Sequence, residues 1–205
     1  MENQPFTVLF FGKTGAGKSS TLNSMFNFNL DVGAAVAVTK VPKPICLTSL
    51  DYDLLHHKQI QVVDIPGIGE SIEADEYYLP FYKEWIPKTD SLVWVTQADT
   101  RAYKRDQIFL LKLLPLFHPS LNFTIALNKI DYFGVNEDEK GFDTSSKQPS
   151  QDQLNRLPEK IADVYQVFDS IIEGKVDFKP EQVIPYTSFY GWGLDALKQK
   201  ILTRR

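Results

Sequence analysis

Cys46 is the only cysteine in 205 residues, so no disulfide can form within the chain and nothing points to a secreted, cross-linked framework. Long apolar runs are missing as well. None approaches the roughly 18 residues of a membrane span, and the apolar run at 6–11 is too short for the core of a signal peptide. These absences make the cytoplasm the expected compartment and leave no membrane segment in view. Clustered positive charge is the third absence: 22 Lys and Arg stand against 26 Asp and Glu, a formal charge of −4, with no basic run beyond the closing Arg204-Arg205. A partner held through phosphate neutralisation needs such clusters, so no nucleic-acid site is expected. No internal repeat and no linker divides the sequence. A chain of this size can bury about 70% of its unfolded surface around one core, and residues 1–205 read as a single domain.

What is present is an alternation of two patterns. Strand-like runs occur at 6–11, 45–52, 59–64, 91–96, 123–128 and 182–187, most of them continuously apolar, as strands buried on both faces are. Helical periods lie between them: Leu22, Met25 and Phe26; Ile108, Leu111 and Leu114; Ile161, Val164, Tyr165 and Phe168; Leu194, Leu197 and Ile201. The expected fold is α/β, a six-stranded, mostly parallel sheet with helices on both faces. One strand must be antiparallel, because the link between 45–52 and 59–64, which carries His56-His57-Lys58, is too short for a crossover helix. The segment 132–149 is long enough to be either functional or disordered, with disorder the simpler expectation. Ser150 and Gln153 then make a capping box for the next helix, with Pro158 expected at a kink or at the true start.

Between the first strand and the first helix stands Gly12-Lys13-Thr14-Gly15-Ala16-Gly17-Lys18-Ser19, followed by Ser20, which fits G-x-x-x-x-G-K-[ST] at every fixed position. A triphosphate is a dense anion that has to be wrapped by donors at close range. Gly12, Gly15 and Gly17 let the backbone turn its N–H groups inward, and the helix that follows adds its free amides. Lys18 is placed to reach the β- and γ-phosphates, and the Ser19 hydroxyl to ligate the Mg²⁺ that bridges them.

Asp64-Ile65-Pro66-Gly67 closes a buried strand, so Asp64 can meet the Mg²⁺ site through water and Gly67 can offer its N–H to the γ-phosphate. Asn128-Lys129-Ile130-Asp131 closes another and decides the base. Guanine presents N1–H and its 2-amino group side by side, and one carboxylate can accept both; adenine would leave Asp131 unpaired. Such a bidentate pair discriminates bases by about 1–3 kcal/mol. Asn128 would tie the base loop to the phosphate loop, and the stem of Lys129 would lie along the ring. Thr187-Ser188-Phe189, closing the last strand, supplies a candidate backbone N–H for guanine O6. Taken singly, D-x-P-G and N-x-x-D are ordinary turns; their order along one chain is what carries the reading.

That ordered set resembles the nucleotide-binding boxes of the translation-factor-class P-loop GTPases. Within them it is similar to the Era-like branch and to the bacterial YfjP/YeeP-type GTPases, through Trp85-Ile86-Pro87-Lys88-Thr89-Asp90, Ala98-Asp99-Thr100-Arg101-Ala102 and Gly191-Trp192-Gly193-Leu194. The resemblance implies a GTPase with Mg²⁺ as cofactor and GTP or GDP as ligand, in which Lys18, Thr39 and Gly67 serve the reaction and Ser19, Thr39 and Asp64 serve the metal. Thr39 is preferred to Thr48 as the switch threonine because Thr48 falls on a strand. Two departures matter. Ile68 stands where many members keep a water-positioning glutamine, and Gly15 replaces an asparagine with which some hold a catalytic potassium ion. The chain ends at its last helix, so the RNA-binding KH domain of Era is not expected.

The reading is a molecular switch that hydrolyses GTP slowly and moves the segments 30–44 and 66–80 between two arrangements, with an unidentified protein effector or activator. A rival is a septin-like or immunity-associated type of assembly module, in which nucleotide supports a homodimer. An ATP-using P-loop enzyme is a second rival, which Asp131 argues against.

Overall fold

The computed structural model describes residues 4–31, 40–48, 59–69, 71–134 and 137–203. In chain order the elements are β1 (Phe6–Gly12), α1 (Lys18–Phe26), β2 (Lys43–Thr48), β3 (Gln59–Asp64), α2 (Ile72–Trp85), β4 (Ser91–Gln97), α3 (Lys104–Leu113), β5 (Asn122–Asn128), α4 (Gln151–Ile172), β6 (Val183–Pro185) and α5 (Leu194–Leu202). They form the six-stranded sheet β2-β3-β1-β4-β5-β6. Only β2 runs antiparallel, with Lys43 opposite Asp64. The other pairings are parallel, and β1 is central, placing Val8 opposite both Val62 and Ser91. The tip between β2 and β3, with His56, His57 and Lys58, lies outside the described residues.

The unbroken apolar strands have the cause expected of them. Successive side chains point to opposite faces, and both faces are covered. Leu9 and Phe11 of β1 and Leu92 and Trp94 of β4 pack with α2, α3 and α4. Val8 and Phe10, with Val93 and Val95, pack with α1 and α5. Trp94 is fully buried between Phe11, at a ring separation of 4.4 Å, and Phe168 of α4, at 5.5 Å. Among the described residues no helix is long and apolar enough to cross a membrane.

Several local readings are corrected or extended. On α3 the period Ile108, Leu111, Leu114 marks mostly the wrong face: Ile108 and Leu111 are 49% and 55% exposed, while Phe109, Leu110 and Leu113 enter the core. Apolar residues occupy both sides of that helix, and the sheet selects one. Helix α2 is not announced by a regular period, since Pro80 lies inside it and its buried side is the aromatic pair Tyr78 and Tyr82. The capping box at Ser150 and Gln153 forms, and Pro158 sits inside α4, which rules it out as the start of the helix. Finally, the segment after Tyr132 is structured where it is described: Asp143 and Gln148 pair through their backbones, and the Asp143 carboxylate accepts from Ser145 and Ser146.

Candidate nucleotide-binding site

The carboxyl ends of β1, β3, β4 and β5 bring the sequence motifs together, as the topology of an open parallel sheet requires. Gly12 ends β1 at φ +139°, and a Cβ there would sit 2.1 Å from the Val95 carbonyl oxygen, so only glycine lets the loop leave beside β4. Lys18, only 7% exposed, curls back so that Nζ donates to the Gly12 and Lys13 carbonyls at 3.2 Å each, holding an ammonium inside the loop. One residue on, Ser19 Oγ donates to Asp64 Oδ2 at 3.0 Å across the gap between α1 and β3. Asp64 is buried.

The turn after β3 is stitched onto the phosphate loop. Thr14 N–H donates to the Ile68 carbonyl at 3.0 Å and Ile68 N–H to the Gly12 carbonyl at 3.1 Å. Gly67 lies so close that a Cβ on it would meet Thr14 Oγ1 at 2.7 Å and Lys18 Nζ at 2.8 Å. The side chain of Ile68 is buried in the core with Tyr78 and Tyr82. Gly69 is gripped from both sides, its N–H donating to Asp75 Oδ1 at 2.7 Å and its carbonyl accepting from Arg105 Nη1 at 2.8 Å. Arg105 is therefore engaged with the turn. Lys13 pairs with Asp106 and donates to the Ala102 carbonyl at 2.5 Å, fastening the phosphate loop to the start of α3. Burial pushes the Asp106 carboxyl above its ordinary value, and Lys13 and the Trp94 indole pull it back.

On the base side Asn128 acts as a joint. Its Nδ2 donates to the Ala16 carbonyl at 3.0 Å and to Ser188 Oγ at 3.2 Å, while its Oδ1 accepts from Ser188 N–H at 3.0 Å. Gly17, at φ +97°, leaves room for this amide, since a Cβ on it would lie 2.3 Å from Nδ2. Lys129 adopts φ 64° and turns the chain so that Ile130 N–H reaches the Tyr186 carbonyl at 3.2 Å. Asp131 Oδ1 is sealed from solvent without a hydrogen-bond partner among the described residues, as is Thr14 Oγ1. A buried acceptor of that kind is costly until a donor arrives.

Of the residues singled out in the sequence, Gly12 through Ser19, Asp64, Gly67, Asn128 and Ser188 are brought together at the carboxyl ends of the strands by these contacts, and Asp131 follows in the turn after β5. Ser20 lies in α1, and Thr187 is buried with its hydroxyl accepting from Tyr190 N–H at 3.4 Å. Phe189 projects outward at 82% exposure. Thr39 lies outside the described residues. Two participants escaped the sequence reading. Gln97, the last residue of β4, donates to the Gly15 carbonyl at 2.9 Å, and its position at a strand end was the available signal. Gln153 of α4, fully buried, donates to the Ile130 and Phe133 carbonyls at 3.2 and 2.8 Å. Its role in the helix cap was visible, its hold on the base turn was not.

The donor set suits Mg²⁺, a hard cation that takes oxygen ligands and keeps substrate phosphates in its shell. Ser19 and Asp64 provide a hydroxyl and a carboxylate. Among the described residues no group of three or more His, Cys, Asp or Glu forms a cage.

A family model described as "50S ribosome-binding GTPase" matches residues 7–129, more than half of the chain. YkfA of Escherichia coli, an uncharacterised protein, is 27% identical over 98% of this chain and 63% of its own length. YfjP of the same organism, also uncharacterised, is 36% identical over 48% of this chain and 32% of its own. Era of Aquifex aeolicus, in a crystal structure bound to GDP·AlF₄⁻, superposes with a TM-score of 0.66 at 19% identity, over 96% of this chain and 55% of that one. The chain thus spans less than two thirds of each of these relatives, and the likeness to Era establishes the fold.

Proposed function

The chain belongs to the 50S ribosome-binding GTPase family, and from that membership we propose that it is a Mg²⁺-dependent GTP-binding switch with slow intrinsic hydrolysis. The observation that carries this reading is the convergence of Lys18, Ser19 with Asp64, and Asn128 with Asp131 around one cleft. Lys18 neutralises the phosphates, and the N–H groups of the loop that are not already held, as Thr14 N–H is by Ile68, wrap them. Bound Mg²⁺ would offset charge building up on the β- and γ-oxygens. Gly67 lies close to Lys18 Nζ, its N–H is proposed to serve the γ-phosphate, and Thr39 is the switch residue proposed to join the metal in the triphosphate state. Asp131 selects guanine.

Slow chemistry follows from Ile68. Its side chain is core, so no group at that position can hold an attacking water. Turnover by the isolated protein is expected on the order of 10⁻³ s⁻¹ or less, as in GTPases that await a group from a partner. It should change little when potassium replaces sodium, because Gly15 has no side chain to offer. Phosphate release measured over a range of protein concentrations tests this: a rate per molecule that climbs with concentration would favour an arginine delivered across a dimer, and fast, concentration-independent turnover would overturn the slow-switch reading.

The metal role of Ser19 has its own test. Ser19→Asn should keep GDP far better than GTP in calorimetric titrations with Mg²⁺, since a triphosphate depends more on the bridging ion. Equal losses for both nucleotides would count against Ser19 as a ligand.

A further inference from the structure

The connection from β5 to α4 does more than join them. From 137 to 148 every residue is exposed except Glu139 and Phe142. Glu139 is held by Arg156 of α4, with Nε to Oε2 at 2.8 Å. Lys140 N–H donates to Asp152 Oδ2 at 2.9 Å, and Ser150 Oγ donates to the Lys140 carbonyl. These contacts fasten the loop to the start of α4, the helix whose Gln153 grips the carbonyls on either side of Asp131-Tyr132.

Phe142 goes the other way. Its ring meets Tyr190 at 4.8 Å with an interplanar angle of 34°, and Tyr190 follows directly on Thr187-Ser188-Phe189. The loop therefore leaves the Asp131 side of the cleft and docks on the Ser188 side, spanning the two segments that would hold the base. For a bound base to leave, those segments have to part, and a contact that ties them together raises the barrier to parting. Nothing else along 137–148 needs an aromatic ring, which would otherwise sit in water.

We propose that Phe142 is a positioning residue for the nucleotide base, acting through Tyr190 to brace the 187–190 segment against the Asp131 turn and so slow nucleotide release. The inference rests on the guanine reading of Asn128 and Asp131. Because the brace acts on the base and not on the phosphates, its effect is the same for di- and triphosphate.

Displacement of N-methylanthraniloyl-labelled GDP, and of the labelled non-hydrolysable GTP analogue, by excess unlabelled nucleotide tests it on the whole chain. Phe142→Ala should speed dissociation about twofold to tenfold, the range an aromatic pair commands, and equally for both nucleotides. The melting temperature of nucleotide-free protein should stay put, since the ring is only half-buried. Phe142→Tyr should restore the slow rate, and Tyr190→Ala should reproduce the fast one without adding to it in the double variant. An acceleration under twofold, an effect confined to one nucleotide, or additive single variants would overturn the brace. Wild-type protein that binds no labelled guanine nucleotide would instead sink the base assignment beneath it, so the two failures are told apart.

Discussion

Asp131→Asn should convert a guanine site into a xanthine site. Guanine offers two donors to the carboxylate, and the amide can accept only one of them, its Nδ2 facing the 2-amino group donor to donor. The loss in GTP affinity is expected at about 5- to 150-fold, the span of a bidentate base contact. Xanthine carries an oxygen in place of the 2-amino group, so the same amide gains a matched donor–acceptor pair with it. The structure adds a reason to expect this preference: among the described residues Asp131 Oδ1 is buried without a partner, and a base edge with two donors would relieve that cost whereas adenine would not. Calorimetry with GTP and xanthosine triphosphate on both proteins checks this. A variant that still prefers GTP would show that Asp131 does not read the base.

Lys18→Ala should remove tight triphosphate binding. The ammonium is enclosed by the loop, and charge-assisted hydrogen bonds to two phosphate groups at about 1.5–3 kcal/mol each amount to roughly a hundredfold to ten-thousandfold in affinity. There is a second route to the same loss, because Lys18 Nζ also holds the Gly12 and Lys13 carbonyls in place. Without it those oxygens face the incoming anion and the loop has less reason to keep its curl. Titration with a non-hydrolysable GTP analogue in Mg²⁺ measures the effect, and a decrease under tenfold would place the phosphates elsewhere. Thermal unfolding without nucleotide should move far less than the affinity does.

What could be read from the sequence is what local chemistry dictates. The phosphate loop needs glycines, a lysine and a serine at fixed spacing, and Lys18 and Ser19 stand where that spacing puts them. Asp64 and Asn128 end strands whose unbroken apolar character marks them as buried, which is enough to send both to the same edge of the sheet. The contacts that braced the site were hidden because they join distant residues whose types are unremarkable. Gln97 reaches Gly15 over 82 positions, and Arg105 reaches Gly69 over 36. A glutamine at a strand end and an arginine at a helix start are ordinarily solvated, and for Arg105 only the packing of α3 beside the turn decides otherwise. The misread face of α3 has the same origin: Ile108 and Leu111 keep the helical period as well as Phe109 and Leu113 do, and the aromatic Tyr82, in edge contact with Phe109 at 5.0 Å, fixes which side turns inward.

The missing side chain at Gly17 has a consequence for inheritance. With Asn128 Nδ2 standing where a Cβ would go, positions 17 and 128 form one mutational unit although they belong to separate motifs. Any residue larger than glycine at 17 evicts the amide, releasing Ser188 along with Ala16. A variant of the phosphate loop would then be noticed first as a loss of discrimination between bases. Shortening residue 128 would not license the exchange, because the backbone at 17 remains in a conformation that side chains rarely adopt. Neither change can therefore prepare the way for the other, and single substitutions leave no stepwise path that alters this junction while keeping both ends of the nucleotide in hand.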